Sequence, residues 1–295
     1  MKLSQLLKED KLSLSFEVFP PKADTNFESV KTATQEIAAL KPAFMSVTYG
    51  AGGGTSKHTM SIAESIKKQY GVPSIAHLTC VSSTRETVHE KIRQIKEAGL
   101  TNVMALRGDI PAEGRTVFDY NHASELICDI KSIDENVCIG GACYPEGHVE
   151  CERQSEDILH LKEKVEAGCD FLTTQMFFDN STMYSFLYRI REAGIEVPVV
   201  AGIMPITNPG QVKRSIALSG ATIPQRFKTM VDRFGDDPLS MKQAGVVYAA
   251  EQIIDLIANG VGHIHVYTMN KPEIATGIRN SLSAIWGVSG DTILG

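Results

Sequence analysis

Glu17 lies inside an apolar run, Phe16-Glu17-Val18-Phe19, and alternates with Phe16 and Val18. Strand side chains alternate between faces, so Glu17 points away from the face that Phe16 and Val18 share. If the face Glu17 occupies is the one turned to the barrel mouth, the carboxyl loses solvent and its pKa is expected to rise. A carboxyl still protonated near neutral pH is a general acid. The alternatives are an ion-paired core glutamate or a strand residue facing water at an edge. Pro20-Pro21, directly downstream, favours the acid, because two fixed φ angles hold a loop at a site's mouth.

Other segments carry weaker signals. Asp109 follows Arg107-Gly108, and a carboxylate beside a glycine can approach a flat ligand and stabilise a cation on it; an Arg107–Asp109 salt bridge is the structural alternative. Gln175, between Thr174 and Met176, offers an amide to a heterocycle or plugs the interior. His263-x-His265 has the spacing of a metal pair on one strand face, but only His77 and scattered carboxylates could complete it. Interior filling is therefore expected, with no metal. The segment Gly50-Ala51-Gly52-Gly53-Gly54-Thr55 lacks G-x-G-x-x-G spacing and reads as a permissive loop near a ligand. The six cysteines (80, 128, 138, 143, 151, 169) form no C-x-x-C pair and are expected to be small buried hydrophobes.

The elements that must position these residues repeat in a strand–helix rhythm. Strands are expected at 12–19, 44–49, 74–80, 102–107, 138–144, 171–177, 198–204 and 263–269. Helical spacing separates them, as in Val88, Ile92 and Ile95, and several helices stop at Ala-Gly, as at 98–99, 167–168 and 193–194. Extra helical material is expected at 224–234, and a strong helix at 239–259. Alternating units imply a parallel sheet, and eight of them imply an α/β fold closed as a (β/α)₈ TIM barrel. Such a barrel takes roughly 250 residues, so one domain would fill residues 1–295; an open doubly wound sheet is the alternative.

Barrel chemistry collects at the C-terminal ends of strands. In order, those positions hold Glu17, Thr48-Tyr49, His77, Arg107-Gly108-Asp109, Tyr144 with His148, Gln175, Pro205 and Tyr267. The expected strands contain no lysine, which weighs against a Schiff-base aldolase. A net charge of −6 argues against nucleic-acid and anionic-membrane partners. With no apolar leader and no run near the ~20 residues of a membrane span, a cytoplasmic protein is expected.

Eight motifs stand in order along the chain: Phe-Glu-Val-Phe-Pro-Pro-Lys (16–22), Val-Thr-Tyr-Gly-Ala (47–51), His-Leu-Thr-Cys (77–80) and Ala-Leu-Arg-Gly-Asp-Ile-Pro (105–111), followed by Tyr-Pro-Glu-Gly-His (144–148), Thr-Gln-Met-Phe-Phe-Asp (174–179), Gly-Ile-Met-Pro (202–205) and His-Val-Tyr-Thr-Met-Asn (265–270). Together they resemble the methylenetetrahydrofolate reductase family. The resemblance implies a barrel that binds FAD non-covalently, is reduced by NAD(P)H in a ping-pong cycle, and serves one-carbon metabolism. It implies that Glu17 donates the proton that opens the five-membered ring of methylenetetrahydrofolate, and that Asp109 stabilises the resulting iminium cation before hydride arrives. Gln175, Gln211, Tyr267 and Lys271 are the implied substrate contacts, with Thr48 near the nicotinamide. The implied FAD residues are Tyr49, Ala51, His77, Arg107, Gly108, Asp109, Ala123, Tyr144, His148, Asp157 and Lys164.

The chain departs from the bacterial pattern at four positions: Lys271 for an arginine, Glu163 for an arginine, His160 for an asparagine, and Ser215 for an aromatic ring. A homo-oligomer is also implied, with the catalytic barrel alone and none of the regulatory domain of eukaryotic relatives. The competing functions are a metal-dependent barrel lyase or aldolase, and a non-catalytic barrel that binds folate or a partner protein.

Overall fold

Eight parallel strands close into a barrel in chain order, with β1 hydrogen-bonded to both β2 and β8. This computed structural model describes all residues except 10–11, 22–25, 50–55, 111–113 and 289–295. The strands are β1 (Ser13–Val18), β2 (Met45–Val47), β3 (Ser74–Thr79), β4 (Asn102–Leu106), β5 (Cys138–Cys143), β6 (Phe171–Thr174), β7 (Val199–Ile203) and β8 (His263–Tyr267). All eight expected strands are present, and closure excludes the open sheet. Most end earlier than their apolar runs do, because Thr48, Gln175 and Thr268 turn into the loops of the mouth.

A short helix, α1 (Leu3–Leu6), precedes the barrel. Crossover helices follow β1 to β6: α2 (Phe27–Ala38), α3 (Ser56–Tyr70), α4 (Arg85–Glu97), α5 (Ala123–Ile133), α6 (Gln154–Glu166) and α7 (Asn180–Glu192). Between β7 and β8 lie α8 (Pro209–Ser219), α9 (Gln225–Phe234) and α10 (Pro238–Ala258), and α11 (Pro272–Ser281) and α12 (Ser283–Val288) close the described chain. The expected extra helices correspond to α9 and α10. In α4, Thr84 caps the first turn by accepting from Thr87 N, and Val88, Ile92 and Ile95 are buried on one face. The Ala-Gly stops behave as expected: glycines 99, 168 and 194 take positive φ one residue past the cap.

Strand parity divides the core in two. Phe16, Val18, Met45 and Val47 face outward into the main barrel–helix core. Inward, Phe44, Ile75, Met104, Phe171 and Val200 form an apolar layer with Leu3 and Leu7 of the N-terminal segment. That segment is pinned beneath the barrel: Leu3 N donates to Asn102 Oδ1 (2.9 Å), and the His263 ring bonds Leu7 O (3.0 Å). The lower interior is thus sealed, its polar side chains Asn102, Ser13 and His263 tied into hydrogen bonds there.

Candidate active site

Strand register fixes the neighbours of Glu17. It pairs with Ser46 on β2 and Tyr267 on β8, and Ser15 pairs with His265 one layer below. The Glu17 side chain is 19% exposed. Its Oε2 accepts from Ser46 Oγ (3.1 Å), with His77 Nε2 at 3.6 Å and His265 Nε2 at 3.7 Å. The inward orientation expected of Glu17 therefore holds, but the expected rise in its pKa does not. Burial is the largest single influence and pushes the carboxyl up; His265, His77 and Ser46 together outweigh it and hold the group below its ordinary range. Sequence parity could show the burial but not the two imidazoles that answer it. Glu17 rests as a carboxylate.

His77 behaves oppositely, since burial lowers its pKa more than Glu17 raises it. Both groups then bind fewer protons folded than unfolded, so stability rises with pH across their titration. The His77 contribution is present above pH 6.5, the ordinary value, and is lost as pH falls below it. A single group gives a slope of at most about 1.4 kcal/mol per pH unit. Urea midpoints should therefore drop between pH 7 and pH 5.5, and His77→Gln should flatten that drop. An equal slope in the variant would contradict the assignment.

The segment after β8 clamps the end of β1. Thr268 Oγ1 donates to Glu17 O (2.7 Å). Asn270 holds Phe19 from both sides, Oδ1 accepting from Phe19 N (2.9 Å) and Nδ2 donating to Phe19 O (2.8 Å). Met269 and Asn270 adopt left-handed backbone to do so, at φ 55° and 54°. Pro20-Pro21 is the restraint the sequence offers for this loop; the side-chain clamp is a second one that only the fold brings into place.

Above Glu17 opens a cleft of about 1030 Å³, at the upper end for a small-molecule site. Of the expected residues, Thr48, Tyr49, His77, Arg107, Gly108, Asp109 and Ala123 line it, as do Tyr144, His148, Asp157, Lys164, Gln175 and Tyr267. Ala51 and the glycine-rich segment 50–55 lie outside the described residues. Tyr144 and His148 meet edge to face with centroids 4.6 Å apart, and Lys164 Nζ donates to Ala142 O (2.8 Å). Burial raises the Asp157 carboxyl, partly offset by Lys164. Arg107 does not bridge to Asp109; its guanidinium forks onto Glu150 with two bonds of 2.7 Å, leaving Asp109 exposed on the rim. Among the described residues, three polar atoms in the lining, His77 Nε2, Thr173 Oγ1 and Ser82 Oγ, are buried without a hydrogen-bond partner.

Some expected positions fall elsewhere. Gln211 is the capping-box residue of α8, its Oε1 accepting from Thr207 N (2.7 Å) and Asn208 N (3.1 Å). Lys271 Nζ donates to Thr207 Oγ1 (3.2 Å), so these two gather beside one loop outside the lining of the cleft. Ser215 is only 2% exposed and cannot offer a stacking surface. His160 and Glu163 do face the cleft, paired with each other at 3.2 Å, and His160 stacks on His122 at 5.3 Å.

Lys91 is a cleft residue that sequence reading missed. It is half-buried at the edge of the apolar stripe of α4, three residues after Val88 and four before Ile95, and its Nζ lies 4.7 Å from the Tyr49 ring centroid and bonds the Tyr49 hydroxyl. Helical spacing carries no sign of that reach. The cysteine expectation needs correction too: Cys80, Cys138, Cys143 and Cys169 are buried, whereas Cys128 is exposed and Cys151 half-buried at the cleft. The two histidines of β8 fill the interior as expected, His263 on Ser13 Oγ (2.9 Å) and His265 between Ser15 and Ser46.

Comparison with known proteins agrees with this geometry. The sequence matches the methylenetetrahydrofolate reductase family profile over residues 2–283. The 5,10-methylenetetrahydrofolate reductase of Pectobacterium carotovorum subsp. carotovorum is 34% identical over 282 residues, covering 95% of this chain and 94% of that protein. The Escherichia coli K12 enzyme of the same name is 34% identical over 283 residues, with the same coverage. Methylenetetrahydrofolate reductase (NADH) 1 of Arabidopsis thaliana is 31% identical over 299 residues, which make up 50% of that protein. A solved structure of an uncharacterized Clostridium thermocellum protein that binds two copies of 5-methyl-5,6,7,8-tetrahydrofolic acid shares the fold, with TM-score 0.67 at 15% identity over 98% of this chain and all of that one. No helix among the described residues is long and apolar enough to cross a membrane. A buried carboxylate at the mouth of a closed barrel, family motifs in order and full-length relatives converge: the chain belongs to the methylenetetrahydrofolate reductase family of oxidoreductases.

Proposed function

We propose that this protein carries out its family's reduction of methylenetetrahydrofolate to methyltetrahydrofolate with FAD as resident cofactor and NAD(P)H as electron donor, in a ping-pong cycle. The observation that carries this reading is Glu17, held by Ser46 and two imidazoles at the base of a cleft of about 1030 Å³. The lining fits a dinucleotide. Lys164 and Arg107 supply positive charge for a diphosphate, Asp157 an acceptor for ribose hydroxyls, and Thr173 Oγ1 and Ser82 Oγ, without a hydrogen-bond partner among the described residues, polar atoms for a heterocycle edge. When bound, the flavin supplies the hydride chemistry.

The chain's own residues do the rest. Glu17 passes a proton to the ring nitrogen that leaves when the five-membered ring opens. Asp109, exposed at the rim, lowers the energy of the iminium cation this produces. Gln175 keeps its amide on the cleft, where it orients the folate; its Oε1 accepts from Met176 N (3.0 Å) and is set in place by that bond. Thr48 borders the nicotinamide, while Tyr267, Gln211 and Lys271 contact the folate, the last two from the β7–α8 side. The working protein in this reading is one barrel domain over residues 1–295, cytoplasmic and homo-oligomeric.

The test is spectroscopic. Protein purified with FAD should show an oxidised-flavin spectrum that NADH or NADPH bleaches anaerobically. A protein that neither retains nor takes up FAD would overturn the reading.

A further inference from the structure

The proton donor of the proposed reaction rests as a carboxylate, so its proton must come from elsewhere. Behind Glu17 runs a buried chain of hydrogen-bonding groups. Ser46 Oγ lies 3.1 Å from Glu17 Oε2 and 3.0 Å from His265 Nε2. His265 Nδ1 lies 2.8 Å from Ser15 Oγ, which donates to Ile264 O at 2.9 Å. Ser15 and Ser46 are fully buried and His265 is 2% exposed. The far end fixes the order of donors. Ser15 has one proton, committed to the Ile264 carbonyl, so it must accept from His265 Nδ1–H. The Nε2 atom then faces Ser46, whose single proton can go to Glu17 or to His265 but not to both.

We propose that Ser46 and His265 form the proton reservoir of Glu17, with His265 holding the proton on Nε2 and Ser46 passing it to the carboxylate. The proposal rests on the reading of Glu17 as proton donor. Two arrangements share one proton. In the first, the imidazolium Nε2–H donates to Ser46 and Ser46 donates to the Glu17 carboxylate. In the second, the Nε2–H bond has broken with its electron pair left on nitrogen, Ser46 has gained that proton and released its own to Oε2, and Glu17 donates back to Ser46. The pair stays neutral overall, nothing is oxidised or reduced, and no heavy atom moves. Only after Glu17 gives its proton to substrate is a proton owed from solvent.

The surroundings suit an exchange of this kind. Phe44 stacks on the His265 ring at 5.6 Å and 11°, and Tyr267 meets it edge-on at 5.6 Å. The titratable groups facing Glu17 and His265 are each other, His77 on β3 and Tyr267 on β8; the Tyr267 hydroxyl is committed to Thr174 O (2.6 Å). Burial lowers the His77 pKa, and His265 is the imidazole that bonds Ser46 directly.

Two measurements test the proposal. In FAD-loaded protein reduced by NADH and mixed anaerobically with methylenetetrahydrofolate, Ser46→Ala should slow flavin reoxidation by about tenfold or more and shift its pH profile. Ser46→Thr, which keeps the hydroxyl, should restore both. In cofactor-free protein, ¹⁵N-histidine NMR should find His265 carrying a proton on Nδ1 in both arrangements, and on Nε2 as well while Glu17 is a carboxylate. Wild-type rate and pH profile in Ser46→Ala, or an Nε2–H tautomer with Nδ1 bare, would overturn the reservoir. Loss of reoxidation in Glu17→Gln alongside an unaffected Ser46→Ala would sink the reservoir and spare the proton-donor reading; full activity in Glu17→Gln would sink that reading itself.

Discussion

Glu17→Gln is expected to leave FAD binding and flavin reduction by NADH close to wild type, and to slow reoxidation by methylenetetrahydrofolate by about 10²- to 10⁴-fold. Glutamine has the same shape and its carbonyl can still accept from Ser46, so the Glu17 pocket keeps its packing. What it cannot do is release a proton. The substrate then has to open its ring against an unprotonated leaving nitrogen. Stopped-flow absorbance of the two half-reactions measured separately makes the distinction. Equal loss in both would mean that Glu17 serves the architecture of the mouth rather than the proton transfer.

Gly202→Ala is expected to destabilise the protein by about 1–3 kcal/mol and to disturb the cleft. A Cβ on residue 202 would stand 2.3 Å from Thr174 O and 2.4 Å from the Tyr267 hydroxyl. Those two atoms are hydrogen-bonded to each other, and Gly202 N itself donates to Thr174 Oγ1 (2.8 Å). One of the obstructing atoms is strand backbone, so no rotamer change can relieve the contact. β6 and β7 must separate at this point, and Tyr267 must give way as well. Urea denaturation should show the loss, and Tyr267→Phe in the same background should rescue little of it, because the collision with Thr174 O stays. An alanine variant of wild-type stability would contradict this packing.

The barrel was legible because its signals are local. Eight β-rich runs, helical spacing between them and Ala-Gly stops each follow from a few consecutive residues. The inward face of β1 was legible for the same reason: Ser13, Ser15 and Glu17 alternate with Leu14, Phe16 and Val18. The charge state of Glu17 was not, because Ser46, His77 and His265 lie on three other strands and meet it only on closure. The same applies to the partner of Arg107, which is Glu150, 43 residues on, and not Asp109. The plug formed by α1 is too short to announce itself by periodicity. Lys91 reaches the cleft from a helix whose pattern records only what its buried stripe touches.

The family motifs added what geometry alone would not have named. They marked fourteen described residues that the structure gathers around one cleft, from Glu17 and Thr48 to Gln175 and Tyr267. They also marked Gln211 and Lys271, which cluster on Thr207 outside it. Those two contact a folate only if it extends past the cleft towards α8.

The measurement that bears most directly on the proposed function is reoxidation of the NADH-reduced, FAD-loaded protein by methylenetetrahydrofolate under anaerobic conditions. The expected result is return of the oxidised-flavin spectrum with one equivalent of 5-methyltetrahydrofolate formed per flavin. A flavin that stays reduced in the presence of the folate, and is reoxidised only when air is admitted, would contradict it.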